Sequence, residues 1–221
     1  KQPKVIVLGG SWGSALAVHM AMAKPTAFHA YVGAGQLVQE LDNDIATVAR
    51  LRALAEPAGD TTTLAMLDAL GAPPWTNPRA FGQLRRATRV YEAKASTPAP
   101  AHWWQPSAEY ATPADAAASE AGEEYSYIQF VGMTGGGMLS QIDLWKLGTD
   151  FPLPITLIQG EHDLVTTKDV ARRWFYSLQA PEKSFVLLAH TGHDPNEEML
   201  AAEGAALRRI RTSLAEAAAP K

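Results

Sequence analysis

The chain has 221 residues, 47% of them hydrophobic, 19% charged and 8% aromatic, the composition of a globular protein long enough to bury a core. A formal charge of −4 with no Lys/Arg-rich block excludes the basic footprint of a nucleic-acid binder. The longest apolar stretch, residues 15–23, is broken by His19 and falls short of the ~18 residues of a membrane span, so neither a nucleic acid nor a membrane is an expected partner. With no cysteine, disulfide scaffolds, thiol nucleophiles and Cys-ligated zinc are excluded and the redox compartment stays open. The first residue is Lys1 rather than Met, which reads as a processed or truncated N-terminus.

In chain order, the run Val5-Ile6-Val7-Leu8 before two glycines predicts a buried strand over 4–8. Apolar residues at helical spacing predict a helix over 14–23, ended by Pro25, and a second strand follows over 28–32. The opening 35 residues therefore read as a βαβ unit. Residues 36–149 change texture to Ala-rich helical stretches at 37–54, 62–70 and 77–93 without a strong strand, an expected helical insertion. Within it, 95–113 carries Pro98, Pro100, Pro106 and Pro113 and is expected to be an irregular loop or lid, while the glycines between Met133 and Met138 suggest a flexible hinge. The strand–helix rhythm resumes with a strand over 155–159, a helix over 167–178, a strand over 184–189 and a terminal helix over 197–217. The expected division is 1–35 and 150–221 as core, with 36–149 as a separate helical unit.

Gly9-Gly10-Ser11-Trp12-Gly13 fits G-x-S-x-G between a buried strand and a helix. Glycines let the backbone turn sharply there, the serine is forced to project, and the helix start offers N–H groups to an oxyanion. Ser11 is thus a candidate nucleophile and the Trp12 N–H a candidate oxyanion donor. Asp163 and His193 follow two later strands at the edge where parallel sheets place their sites, and the order Ser, Asp, His is that of α/β-hydrolases. Glu161 rivals Asp163, but the spacing after Gly160 favours Asp163. His162 and His190 rival His193; His190 continues an apolar strand and is expected to be packed, whereas His193 sits on a Gly-preceded loop. A dinucleotide-binding glycine loop fails because Leu8 stands where its pattern needs glycine and no acidic residue ends the second strand. His190-x-x-His193-Asp194 lacks the further ligands a metal site requires, and no metal or cofactor is expected.

Gly9–Ala17, Tyr31-Val32-Gly33-Ala34-Gly35-Gln36, Gln159–Thr166 and Gly192-His193-Asp194-Pro195 together resemble the proline iminopeptidases. The resemblance implies an α/β-hydrolase parallel sheet with an inserted helical cap, nucleophile, acid and base roles for Ser11, Asp163 and His193, and release of N-terminal residues from short peptides. It also implies cap carboxylates for the substrate's free amino terminus, for which Glu120, Glu123 and Glu124 are candidates, with Glu109 and Asp115 nearby; aromatics such as Trp103 and Trp104 are candidates for the pocket lining or for the cap's own core. A carboxylesterase with the same triad, or a non-catalytic protein that keeps the fold, are the alternatives. That family's oxyanion loop and the strands preceding its elbow have no counterpart here. An N-terminal segment, cleaved and still associated or simply not among these residues, is expected to complete the sheet beside residues 4–8, whose free edge is otherwise an aggregation hazard.

Overall fold

The computed structural model describes residues 4–218; Lys1 lies outside them. Strands β1 (Val5–Gly10), β2 (Phe28–Ala34), β3 (Ile155–Gly160) and β4 (Lys183–Leu188) form one parallel sheet in the order β1-β2-β3-β4. Successive side chains of the inner strands point to opposite faces, and both faces are covered. Tyr31 and Leu157 pack with Val18 and Ala21 of α1 (Trp12–Ala23) and with Val170 and Trp174 of α6 (Lys168–Ser177). Val32 and Ile158 face the other way, against Met199 and Ala206 of α7 (Glu197–Ala218). This two-sided burial is why successive residues at the centre of each strand are apolar, Tyr31 and Val32 in β2 and Leu157 and Ile158 in β3.

β1 differs. Among the described residues it pairs with β2 alone, and its apolar residues are poorly covered: Val5 is 54% and Leu8 40% exposed, and α1 beside it leaves Leu16 44% and Met20 43% exposed.

Between β2 and β3 the chain is helical. α2 (Glu40–Ala58) ends at Gly59, whose φ of 63° suits a left-handed helix stop. α3 (Thr61–Leu70) begins where the Asp60 side chain accepts the Thr63 N–H at 2.9 Å. These two and α4 (Arg79–Ala95) bury Leu51, Leu67, Leu84 and Tyr91 in a cluster that Leu164 joins from outside the helices. Residues 96–112 contain only short 3-10 turns at Ala101–Trp104 and Ala108–Tyr110, as the prolines imply. α5 (Pro113–Val131) is a helix that apolar periodicity does not announce, because nearly all of its side chains face solvent. Its sequence signal is the Thr112–Asp115 capping box with Pro113 in the first turn. The glycines after it do not form an open hinge: a Cβ on Gly132 would lie 2.5 Å from the Gly137 nitrogen, and Gly137 N–H donates to Val131 O at 3.1 Å, so this is a close-packed turn. Among the described residues no helix is long and apolar enough to cross a membrane.

Leu157 has no exposed surface and sits under α1 and α6. Leu157→Ala is expected to lower the unfolding free energy by about 3 kcal/mol, read from the urea midpoint, and an unchanged midpoint contradicts the double-sided burial of β3.

Candidate active site

All four strands point their C-terminal ends at one edge, and the candidate residues follow those ends. Ser11 follows β1 with φ 49° and ψ −123°, the single non-glycine residue with positive φ among those described. That conformation costs an L-residue roughly 1–2 kcal/mol and is held in place by its neighbours. Ser11 N–H donates to Ala34 O at 2.9 Å, and Ser14, fully buried, donates its hydroxyl to Ser11 O while accepting the Leu37 N–H at 2.9 Å. Gly9 is obligatory, since a Cβ there would lie 2.2 Å from Gly13 O and 3.0 Å from the Ala17 Cβ as α1 crosses back over β1. Trp12 opens α1, so its N–H has no carbonyl one turn earlier to bond.

The Ser11 Oγ lies 2.9 Å from His193 Nε2, and His193 Nδ1 lies 3.2 Å from both Asp163 carboxylate oxygens. The Asp163 side chain has no exposed surface. It accepts the Val165 and Thr166 N–H groups at 2.9 and 2.8 Å, the Thr166 hydroxyl at 2.8 Å and the Gln159 amide at 2.8 Å. Gln159 is itself oriented by the Gln36 N–H, which donates to its Oε1 at 3.1 Å. Burial pushes the Asp163 carboxyl up, but the charge of His193 and these hydrogen bonds outweigh it and hold the acid below its ordinary value. For His193 burial favours the neutral ring, yet the Asp163 carboxylate, assisted by Glu92, carries it above the ordinary imidazole value. Gly35, at φ 54°, lets the backbone pass beside the pair: a Cβ there would come within 3.5 Å of Asp163 Oδ2 and 3.7 Å of His193 Cε1.

Ser11 and His193 open onto a cavity of about 160 Å³ lined by Leu37, Phe81, Leu84, Phe130 and Leu139, by Glu40 and Asp44 of α2 and by Arg85 of α4. Among the described residues neither carboxylate has a hydrogen-bond or ion-pair partner. Burial pushes Glu40 up to about 6; burial and then the neighbouring Glu40 charge push Asp44 up to about 7. One helical turn apart, both line this cavity and the adjoining one that runs toward Trp75 and Lys146.

The structure thus brings Ser11, Asp163 and His193 together, but leaves the other sequence candidates elsewhere. Trp103, Trp104, Glu120 and Glu123 line a shallow outer cleft, Glu124 is exposed on α5, and none of the five borders the cavity at Ser11. The physical reason is the course of α5, whose acidic face turns to solvent while Phe130 near its end turns inward. Glu109 is likewise exposed, and Asp115 serves the α5 cap. His190 is exposed rather than packed, with its carbonyl accepting the Thr97 N–H, and Glu161 pairs with Lys168. Gln159, Thr166, Glu40 and Asp44 went unnoticed in sequence. Only Thr166 carried a local signal, as the hydroxyl three residues after Asp163.

Residues 1–199 match the family model described as the alpha/beta hydrolase fold. The probable aminopeptidase YbaC of Bacillus subtilis (strain 168) is 23% identical over 210 residues, covering 88% of this chain and 61% of that protein. Crystal structures of VinJ and of the proline iminopeptidase of Mycobacterium smegmatis superpose with TM-scores of 0.63 and 0.60 at 19% and 18% identity, covering 95% and 96% of this chain and 66% and 67% of theirs. The chain therefore spans about three fifths of its curated relative.

An unpaired, half-buried carboxylate that gains its charge on deprotonation opposes folding, because the folded state binds the proton more tightly than the unfolded one. For Asp44, with an ordinary value of 3.8 raised to about 7, this loss of stability develops as pH rises between those limits. Asp44→Asn is expected to be more stable than wild type at pH 8, with the difference in urea midpoint shrinking as pH falls and closing only below about pH 4; a pH-independent difference contradicts this.

Proposed function

The chain belongs to the α/β hydrolase fold family, and from that premise we propose that it is a serine hydrolase acting through an acyl-enzyme. The observation that carries the reading is the continuous contact from Ser11 Oγ through His193 to Asp163 at the cavity mouth. As Ser11 Oγ bonds to the substrate carbonyl carbon, His193 Nε2 takes the hydroxyl proton and Asp163 stabilises the resulting imidazolium. The Trp12 N–H, at the positive end of α1, supports the oxyanion. His193 then returns the proton to the leaving amine, and water, deprotonated in turn by His193, hydrolyses the acyl-enzyme to free the acid and Ser11.

The favoured substrate is a short peptide or amino-acid amide with a free N-terminal ammonium. Glu40 and Asp44 support this, because two partly desolvated carboxylates that pair neither with Arg85, which lines the same cavity and is held by Asp194, nor with Lys146, which lines the adjoining one and is held by Asp143, are complementary to the ammonium of a substrate whose carbonyl lies at Ser11. They replace Glu120, Glu123 and Glu124 in that role. The relation to a probable aminopeptidase points the same way. In this reading residues 36–149 are a cap that closes the cavity, and a further segment of the same fold pairs with the free edge of β1, supplying a second oxyanion donor and covering Val5, Leu8 and Leu16.

Turnover of aminoacyl arylamides and short-chain aryl esters tests the assignment. Ser11→Ala is expected to abolish both, and retained turnover contradicts it. Glu40→Gln and Asp44→Asn are expected to raise KM for aminoacyl arylamides on the order of tenfold or more, the worth of a charged hydrogen bond, while leaving aryl acetates nearly unchanged. Equal effects on both substrates remove the ammonium role, and ester turnover without any arylamide turnover makes the chain an esterase.

A further inference from the structure

α4 reaches the triad from outside through a residue that the catalytic steps do not use. Glu92 is 5% exposed and lies between the two loops that carry Asp163 and His193. Its Oε1 accepts the Leu164 N–H at 2.8 Å, and a Cβ on Gly192 would come within 3.2 Å of its own Cβ and Oε2. Leu164, next to Asp163, packs its side chain into the cluster shared by α2, α3 and α4. Two further ties join the same stretch to the histidine loop: Arg85 Nη2 donates to Asp194 Oδ1 at 2.8 Å, and Thr97 N–H donates to His190 O at 2.8 Å.

A carboxylate buried this close to Asp163 is repelled by it, and a lone backbone N–H does not compensate for that. The cations that face it are His193, across the loops, and Arg85, on its own helix. Arg85 is a partial partner, because its Nη1 stands 3.8 Å from Glu92 Oε2 while Nη2 is engaged by Asp194. Part of the Glu92 field therefore falls on the imidazole, adding to the larger effect of Asp163.

We propose that Glu92 is a positioning residue: it locks the Asp163 and His193 loops to the inserted helices, and its charge stabilises the imidazolium that His193 becomes on taking the Ser11 proton. The second clause rests on the serine-hydrolase reading; the first does not. Burial, then the Asp163 charge, push Glu92 up to about 7, against the Leu164 N–H, His193 and Arg85. Its support for the imidazolium is therefore present above that pH and fades below it, and the two groups titrate as a coupled pair.

Glu92→Gln keeps the shape and the acceptor for Leu164 but removes the charge, whereas Glu92→Ala removes both. The measurement is the pH titration of the His193 ring by NMR together with hydrogen exchange at the Leu164 amide. Glu92→Gln is expected to lower the His193 midpoint by about half a pH unit with Leu164 still protected. Glu92→Ala is expected to lower the midpoint and to speed Leu164 exchange by roughly tenfold or more. The acid limb of kcat/KM follows the midpoint downward, with kcat changed more than KM. A His193 midpoint unmoved in folded Glu92→Gln overturns the charge role, and unchanged Leu164 exchange in folded Glu92→Ala overturns the lock. The titration reads Glu92 whether or not the chain turns over substrate, so it is separable from the Ser11→Ala test of the hydrolase assignment.

Discussion

A carboxylate with no exposed surface must be kept charged by the groups around it, and at Asp163 that requirement organises the rest of the site. Two backbone N–H groups, the Thr166 hydroxyl and the Gln159 amide surround its two oxygens, leaving the His193 ring as the remaining contact. Three of these donors come from the turn that carries Asp163 itself and the fourth from the Gln159 side chain near the end of β3, which the Gln36 N–H, just after β2, orients from behind. Removing one of them weakens the support of a buried charge, and the Gln159 contact ties the acid loop to the sheet. The imidazole orientation, and with it the approach to Ser11, follows from that rigidity.

The same sheet edge explains what could be read from the sequence. The nucleophile turn was legible because a strand, paired glycines and a helix in succession leave the backbone few alternatives, and Ser11 takes the positive φ that this arrangement demands. Asp163 and His193 were legible because each follows a recognisable buried strand. Glu40, Asp44 and Glu92 were not, because they sit on helices whose placement over the sheet depends on packing between elements far apart in the chain. The exposed acidic run at Glu120–Glu124 drew attention through composition alone, yet an isolated charge cluster on a helix carries no information about which face the fold will cover. α5 was missed for a related reason: its register is set by a local cap rather than by an apolar stripe.

Around the cavity, stability and chemistry pull in opposite directions. Glu40 and Asp44 are desolvated without a partner, Glu92 is crowded by Asp163, and Ser11 is strained, so the site is assembled from features that each weaken the fold. The burial of Tyr31, Leu157 and Trp174 on one face of the sheet and of Val32 and Ile158 on the other offsets them. Among the described residues the free edge of β1 falls at the least covered part of that framework, in the strand that leads into the nucleophile turn.

The claim on which the account turns is that Ser11 is an activated nucleophile. The most direct measurement is the site and stoichiometry of modification by a fluorophosphonate, read by intact mass and peptide mapping in the wild-type chain and in His193→Ala. The account predicts a single adduct on Ser11 that forms in wild type and is lost or greatly slowed when His193 is replaced. A chain that folds but stays unmodified, or that reacts equally well without His193, contradicts it.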